Sequence, residues 1–457
     1  MKYFTFTFLS ILILSSITLA QALDTMWTKT FGGSTEDYGE CVQQTTDGGY
    51  IITGYTNSFG AGGRDVYLIK TDTNGDELWT QTLGGSNNDW SYSVQQTTDG
   101  GYIIAGQTSS YGVGAGTYNV YLVKTDMNGN ESWHQTYGGS NNDVGYSVQQ
   151  TTDGGYIIGG YTESYGAGSF DVYLIKTDAM GDESWSRTFG GSSNDVGYSI
   201  QQTIDGGYII GGYTNSYGAG GNDVYLIKTD TEGNESWHQT YGGSTGDTGK
   251  SVQQTTDGGY IIAGNTDSYG AGSLDVYLIK TDVNGNEDWT KTYGGSNWDV
   301  GGCAQQTSDE GYIITGSTGS YGVGDYNVYL IKTDTNGDTL CTQTYGGSDN
   351  DRGYSVQQTT DGGYIVIGYT ASYGVGEIDV YLIKLEREDE FYFTCDEPNL
   401  PGFIGSTATF YSELTNITAG EVTVHLNLDT TGYPADWDCS WSVGGVALPS
   451  FIFDWET

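Results

Sequence analysis

Cysteine and proline are scarce in this chain, at 5 and 4 of 457 residues. So few cysteines exclude a fold that relies on disulfides. Basic side chains are scarce too: 15 Lys and Arg stand against 57 Asp and Glu, a formal net charge of −42. That balance argues against nucleic acid and against anionic membrane surfaces as partners. There are 3 histidines. His134 and His238 occupy the same slot of a repeat and His425 stands apart, so no zinc spacing is present; nor is there a CxxCH haem motif, a phosphate-cradling loop beside a helix, or a Ser/His/Asp set.

Long apolar runs are lacking as well, with one exception. Phe8–Leu19 follows Lys2 and precedes Ala20-Gln21-Ala22. The run is short for a membrane span and resembles the core of a secretory signal peptide over residues 1–22, which predicts a secreted or cell-surface protein with no membrane insertion after cleavage.

Glycine and tyrosine are abundant, at 74 and 39 residues. The glycines recur at fixed places, which marks ordered turns rather than disorder. A unit opens at Trp27, Trp79, Trp133, Trp185, Trp237 and Trp289, and at Cys341 in the same slot; the steps are 52 residues, with one of 54. Each unit carries four strand-like runs, in the third copy 146–151, 155–162, 171–176 and 183–189. Asp153-Gly154 and the Asp-x-x-Gly turn suit tight hairpins. Val172 with Leu174 and Tyr173 with Ile175 make both faces of the third run apolar, as in a strand covered on both sides. Trp133, Gln135 and Tyr137 share one face of the last run and His134 and Thr136 the other, wetter one.

A four-stranded sheet covered on both faces and repeated seven times predicts an all-β, seven-bladed β-propeller over residues 23–384. The Trp-type strand is missing after Lys384 and supernumerary at Trp27–Phe31. The first strand is therefore expected to complete the last blade and close the ring.

Chain direction alternates along a blade, so the two tight turns share one face of the disc and the GGSxxD and SYGAG loops share the other. The looped face then gathers Asp37, Asp89, Asp143, Asp195, Asp247, Asp299 and Asp351, with Phe59, Tyr111, Tyr165, Tyr217, Tyr269, Tyr321 and Tyr373. The aspartates either accept hydrogen bonds from loop N–H groups or hold cations or sugar hydroxyls. The aromatics either pack over glycine backbone or stack on a ligand. Turns such as 72–77 resemble calcium loops in composition, although Gly75 comes too early for an EF-hand. No cofactor is expected, with calcium the one ion these acidic turns bring into question. Of the paired glutamines, as in Gln149-Gln150, one is expected to line the axial channel and the other to bond between blades. Carboxylates are so common that a glycosidase pair is not excluded by residue type.

The pattern YGGSxxDxGYSVQQTxDGGYIIxGxTxSYGxGxxDVYLIKxDxxGxxxW resembles the SBBP-type β-propeller repeats of secreted and cell-surface prokaryotic proteins. The resemblance implies the fold and an extracellular setting; it brings no catalytic residues. After a charged linker, 385–390, residues 391–457 alternate in β fashion, as in 421–428, and look like part of an Ig-like sandwich in which Cys395 and Cys439 form the plausible bridge. The expected function is an exported, non-catalytic scaffold for extracellular binding or adhesion, with a glycan or protein ligand on the looped face. A carbohydrate-active enzyme or its accessory module, and a structural cell-surface protein, are the alternatives.

Overall fold

The computed structural model describes residues 23–386 apart from residue 115, and in the tail the backbone of five short strands. The expected signal peptide lies outside the described residues. The chain divides into two units, residues 22–387 and the remainder.

The larger unit is seven four-stranded antiparallel sheets. Blade 3 is typical: Asp143–Gln150 is innermost, followed outward by Tyr156–Thr162, Asp171–Thr177 and Glu183–Phe189. The third strand is buried along its whole length, as two apolar faces require. The innermost strand begins three residues earlier than the apolar pattern suggests. Asp143–Gly145 pairs with Gly160–Thr162, and Tyr146 is then bulged out of the ladder. A bulge interrupts the two-residue alternation, which is why the sequence pattern hides the strand's start.

Blades cohere through apolar contact between neighbouring sheets. Val148, Tyr156, Ile158 and Tyr173 of blade 3 bury against Ile103, Val120 and Leu122 of blade 2, with Trp133 packed on the same cluster. Trp133 also lies against the next blade's Tyr156, ring centroids 5.9 Å apart, and over the turn glycine Gly181. Burying a side chain of this size contributes roughly 2–3 kcal/mol.

The ring closes as expected. Thr25–Phe31 pairs antiparallel with Asp379–Leu385, Trp27 opposite Lys384 and Phe31 opposite Val380. Leu23 is buried beside it, and Glu386 N–H donates to the Asp24 carbonyl at 2.8 Å.

On the tight-turn face each Asp-Gly-Gly turn is tied to a buried lysine. Lys176 Nζ lies 2.9 Å from Asp153 and donates to the Thr177 carbonyl at 2.8 Å. Burial works to raise the Asp153 pKa, but the Thr151 hydroxyl, the Lys176 ammonium and the Gly155 amide outweigh it and bring the value down to about 2. The other hairpin is an Asx turn: Asp72 Oδ1 accepts from the N–H groups of Asn74 and Asp76 at 2.8 and 2.9 Å. In the tail, Tyr392–Cys395, Cys439–Val443 and Val446–Ala447 form one sheet, and Ser412–Thr418 pairs with Glu421–Leu426. The register sets Cys395 opposite Cys439. The rest of the expected Ig-like segment, and residues 387–390 of the linker, lie outside the described residues.

Deleting residues 23–32 removes the burial of Leu23, Trp27 and Phe31, so differential scanning calorimetry should show a melting temperature about 10 °C lower or more; an unchanged melt contradicts the closure. Glu310 stands at φ 65° where the other blades place glycine, for example Gly154 at 88°. Glu310→Gly should therefore stabilise the fold by about 1 kcal/mol, read from urea unfolding.

Candidate functional site

The looped face is built from one recurring knot. Asp143 is fully buried; its Oδ2 accepts from Gly139 N–H at 2.8 Å and from the Ser164 hydroxyl at 2.7 Å, and Thr162 donates to its Oδ1. Asp37, Asp89, Asp195, Asp247, Asp299 and Asp351 are equally buried and hold the same amide and serine partners. Of the two roles open to these aspartates, the geometry is that of a carboxylate fixing the crossing between blades. To touch a ligand through Oδ2 it would have to give up charge-assisted bonds in a site without solvent; Oδ1 of Asp37, Asp247 and Asp299 is buried without a hydrogen-bond partner. The glycine pair ahead of it has a related cause. Gly84 has φ 149°, and a Cβ there would sit 2.6 Å from carboxylate oxygens of both Asp65 and Asp89.

The aromatics lie differently. Tyr165, Tyr217, Tyr269, Tyr321 and Tyr373 are 40–48 % exposed, and Phe59 45 %. Each of these tyrosine hydroxyls donates to a glycine carbonyl of the inter-blade crossing, as Tyr165 does to Gly138 at 2.9 Å. One edge of the ring is pinned while much of its surface stays open. Tyr111 makes the same bond to Gly84 but is covered by His134, stacked at 4.5 Å. His134 and His238 each pair with a glutamate on their own strand, Glu131 and Glu235, at 2.7 Å. Among the described residues no three His, Cys, Asp or Glu side chains gather as a metal site.

At the axis the first glutamine of each pair lines the channel and the second bonds between blades, as expected, and the structure adds a bond for the first. Both glutamines of each pair bond between blades, and the first also lines the channel. Gln43 Oε1 accepts from Gln96 N–H of the next blade at 2.6 Å, and the seven copies close a ring through Gln357 and Gln44. The second glutamine accepts from the turn of the preceding blade, as Gln96 does from Thr46 N–H at 2.9 Å, in a second closed ring. The channel offers about 280 Å³ and is lined by the first glutamine of each pair, by Val42 and its equivalents, and by Ser or Cys such as Ser199 and Cys41. Cys41 and Cys303 are free thiols.

One residue towards the looped face lies the bulge, and there the repeat loses its symmetry. The seven bulged residues are Glu40, Tyr92, Tyr146, Tyr198, Lys250, Gly302 and Tyr354. A bulge re-aims the side chain it carries. Tyr92, Tyr146 and Tyr198 form a continuous arc, with centroids 4.9 and 5.0 Å apart, and Lys250 Nζ caps it 3.7 Å from the Tyr198 ring centre. Gly302 follows without a side chain, and a Cβ there would meet the backbone oxygens of Tyr354, Gly353 and Thr315 at 3.0–3.3 Å. Glu40 sits in blade 1 and Lys250 in blade 5, three blades apart by the shorter way, the greatest separation a ring of seven allows; no ion pair joins them. Burial raises the Glu40 carboxyl to about 7 and lowers Lys250 to about 8. Other departures meet nearby: Arg64 lies over Tyr55 and Trp90 at 5.1 and 5.2 Å and bonds Glu36 at 3.2 Å, so Arg64 and Trp90, isolated in sequence, are neighbours in space.

The raised Glu40 pKa stabilises the fold below its ordinary value of 4.5, and that contribution is lost as pH rises through about 7. Lowered Lys250 runs the other way, its contribution being lost as pH falls through about 8. Glu40→Gln keeps the neutral form at every pH. Variant and parent should melt alike near about pH 5, and the variant higher near about pH 8; a variant that melts lower at both contradicts the burial.

No family model matches the chain, and no curated protein matches it. Among solved structures it is similar to the quinohemoprotein alcohol dehydrogenase ADHIIG of Pseudomonas putida HK5, at 12 % identity over 86 % of this chain and 79 % of that one, TM-score 0.41. It is similar also to BBS1N, crystallised with ARL6DN, at 10 % identity over 80 % and 97 %, TM-score 0.46. The Pan2 WD40 domain of Neurospora crassa gives 8 % identity over 77 % and 90 %, TM-score 0.44. At such identities and scores the seven-bladed, all-β propeller rests on the strand pairing above.

Proposed function

We propose that the chain is an exported SBBP-type propeller that acts as a binding scaffold and holds glycan chains against its looped face. The observation that carries this reading is the set of half-open tyrosine rings at equivalent positions, each locked by its hydroxyl. A ring fixed before the ligand arrives loses little entropy on binding. Several weak, equivalent platforms around one disc suit a ligand that is itself repetitive, because linked contacts multiply affinity. Export is supported by the apolar run of residues 8–19, which follows Lys2 and precedes Ala20-Gln21-Ala22.

Tyr165, Tyr217 and Tyr269 replaced together by Ala should lose glycan-array binding by tenfold or more, with the melting temperature held within a few degrees. Unchanged capture contradicts the reading, as does binding by protein ligands alone. Hydrolysis of the captured polysaccharide by the intact protein would replace a scaffold with an enzyme.

A further inference from the structure

On the looped face, three slots of the repeat meet at the boundary between blades. Between blades 1 and 2 they hold Glu36, Arg64 and Trp90. The Arg64 guanidinium bonds Glu36 at 3.2 Å and lies 5.2 Å over the Trp90 ring, and Asn57 donates to Glu36 at 3.2 Å. A cation, its acid and a flat ring are complete there within the protein. Between blades 6 and 7 the same slots hold Trp298, Tyr326 and Arg352. The cation now occupies the third slot, where Arg352 lies 4.7 Å over the Tyr326 ring, and a tryptophan stands where the acid was. Arg352 makes no ion pair among the described residues, and its Nε is buried with no hydrogen-bond partner. Asp325 and Asp349, exposed on the flanking loops, do not reach it. Trp298 is 52 % exposed, more than any other aromatic side chain described. Gly319 takes the slot of Asn57, so no side chain stands opposite Trp298; a Cβ there would lie 3.2 Å from the Trp298 carbonyl oxygen and 3.4 Å from the Tyr326 ring. An open indole, a second ring and an unmatched guanidinium are therefore neighbours at one boundary of the disc.

We propose that this boundary is the subsite that selects acidic sugars, with Trp298 stacking on the sugar ring and Arg352 taking its carboxylate. The inference rests on the glycan reading above and narrows it to uronic acids. The ligand supplies the acid that Glu36 supplies between blades 1 and 2. A guanidinium holds a carboxylate through paired N–H groups, and a partly desolvated one gains more from it than one in bulk water. An indole offers a large flat face to the C–H side of a pyranose. The protein's charge of −42 repels an anion at long range, so the preference is made at contact, where screening by salt is weakest.

Calorimetric titration of the full chain with trigalacturonate and trimannuronate, each beside its neutral methyl ester, tests this. At least one acid should bind tenfold or more tightly than its ester. Arg352→Val and Trp298→Asn each restore a residue that several other blades carry in that slot, so both should melt like the parent. Arg352→Val should lose tenfold or more for the acid and leave the ester unchanged, whereas Trp298→Asn should weaken both. The triple tyrosine-to-alanine variant should weaken acid and ester alike and keep their ratio. Equal binding of acid and ester, or an undiminished preference for the acid in folded Arg352→Val, would overturn the acidic subsite and leave capture of neutral glycans standing. Absence of binding by every glycan, acid or ester, would overturn both readings.

Discussion

Two circles of hydrogen bonds around the axis, one through each glutamine of the pair, hold every blade to both its neighbours. A circle works only if it is complete. Each sheet has two apolar faces, and a sheet without a neighbour would leave one of them in water. The amino-terminal strand is what lets the last blade have four strands like the rest, so closure at the rim and closure at the axis are parts of one constraint. The chemistry near the axis follows from it, because seven glutamine oxygens used to join blades leave seven NH₂ groups facing inward.

The looped face shows the same economy. A fully buried aspartate joins the crossing loop to a serine of its own blade, and a tyrosine hydroxyl joins its blade to the crossing carbonyl. The first is sealed from solvent. The second leaves a ring half open, and only it offers a surface.

Much of this was legible from residues in order. The repeat announced the blades because each Val172-type and Tyr173-type position must be covered on a different side, and the orphan strand at Trp27 announced closure. What escaped was depth. Asp143 in a Gly-rich loop reads equally well as buried or exposed, since nothing in a single letter tells which way a loop folds over its own side chain. The bulge escaped for a different reason. Gly145-Tyr146-Ser147 looks like an ordinary strand entry, and the alternation that would place Tyr146 on a blade face fails there. The signal was nevertheless present: one column of the repeat reads Glu, Tyr, Tyr, Tyr, Lys, Gly, Tyr, while the glutamines three and four residues on never vary. Arg64 and Trp90 look unrelated in the chain because they belong to different blades, and only the ring brings them together.

Hydrogen exchange along the backbone measures the central constraint most directly. If the circle is complete, amides of residues 25–31 exchange as slowly as those of the equivalent outer strand Glu183–Phe189, despite lying at the start of the folded unit. Exchange of residues 25–31 at the rate of the surface loops, with the other outer strands protected, would mean that the ring stands open.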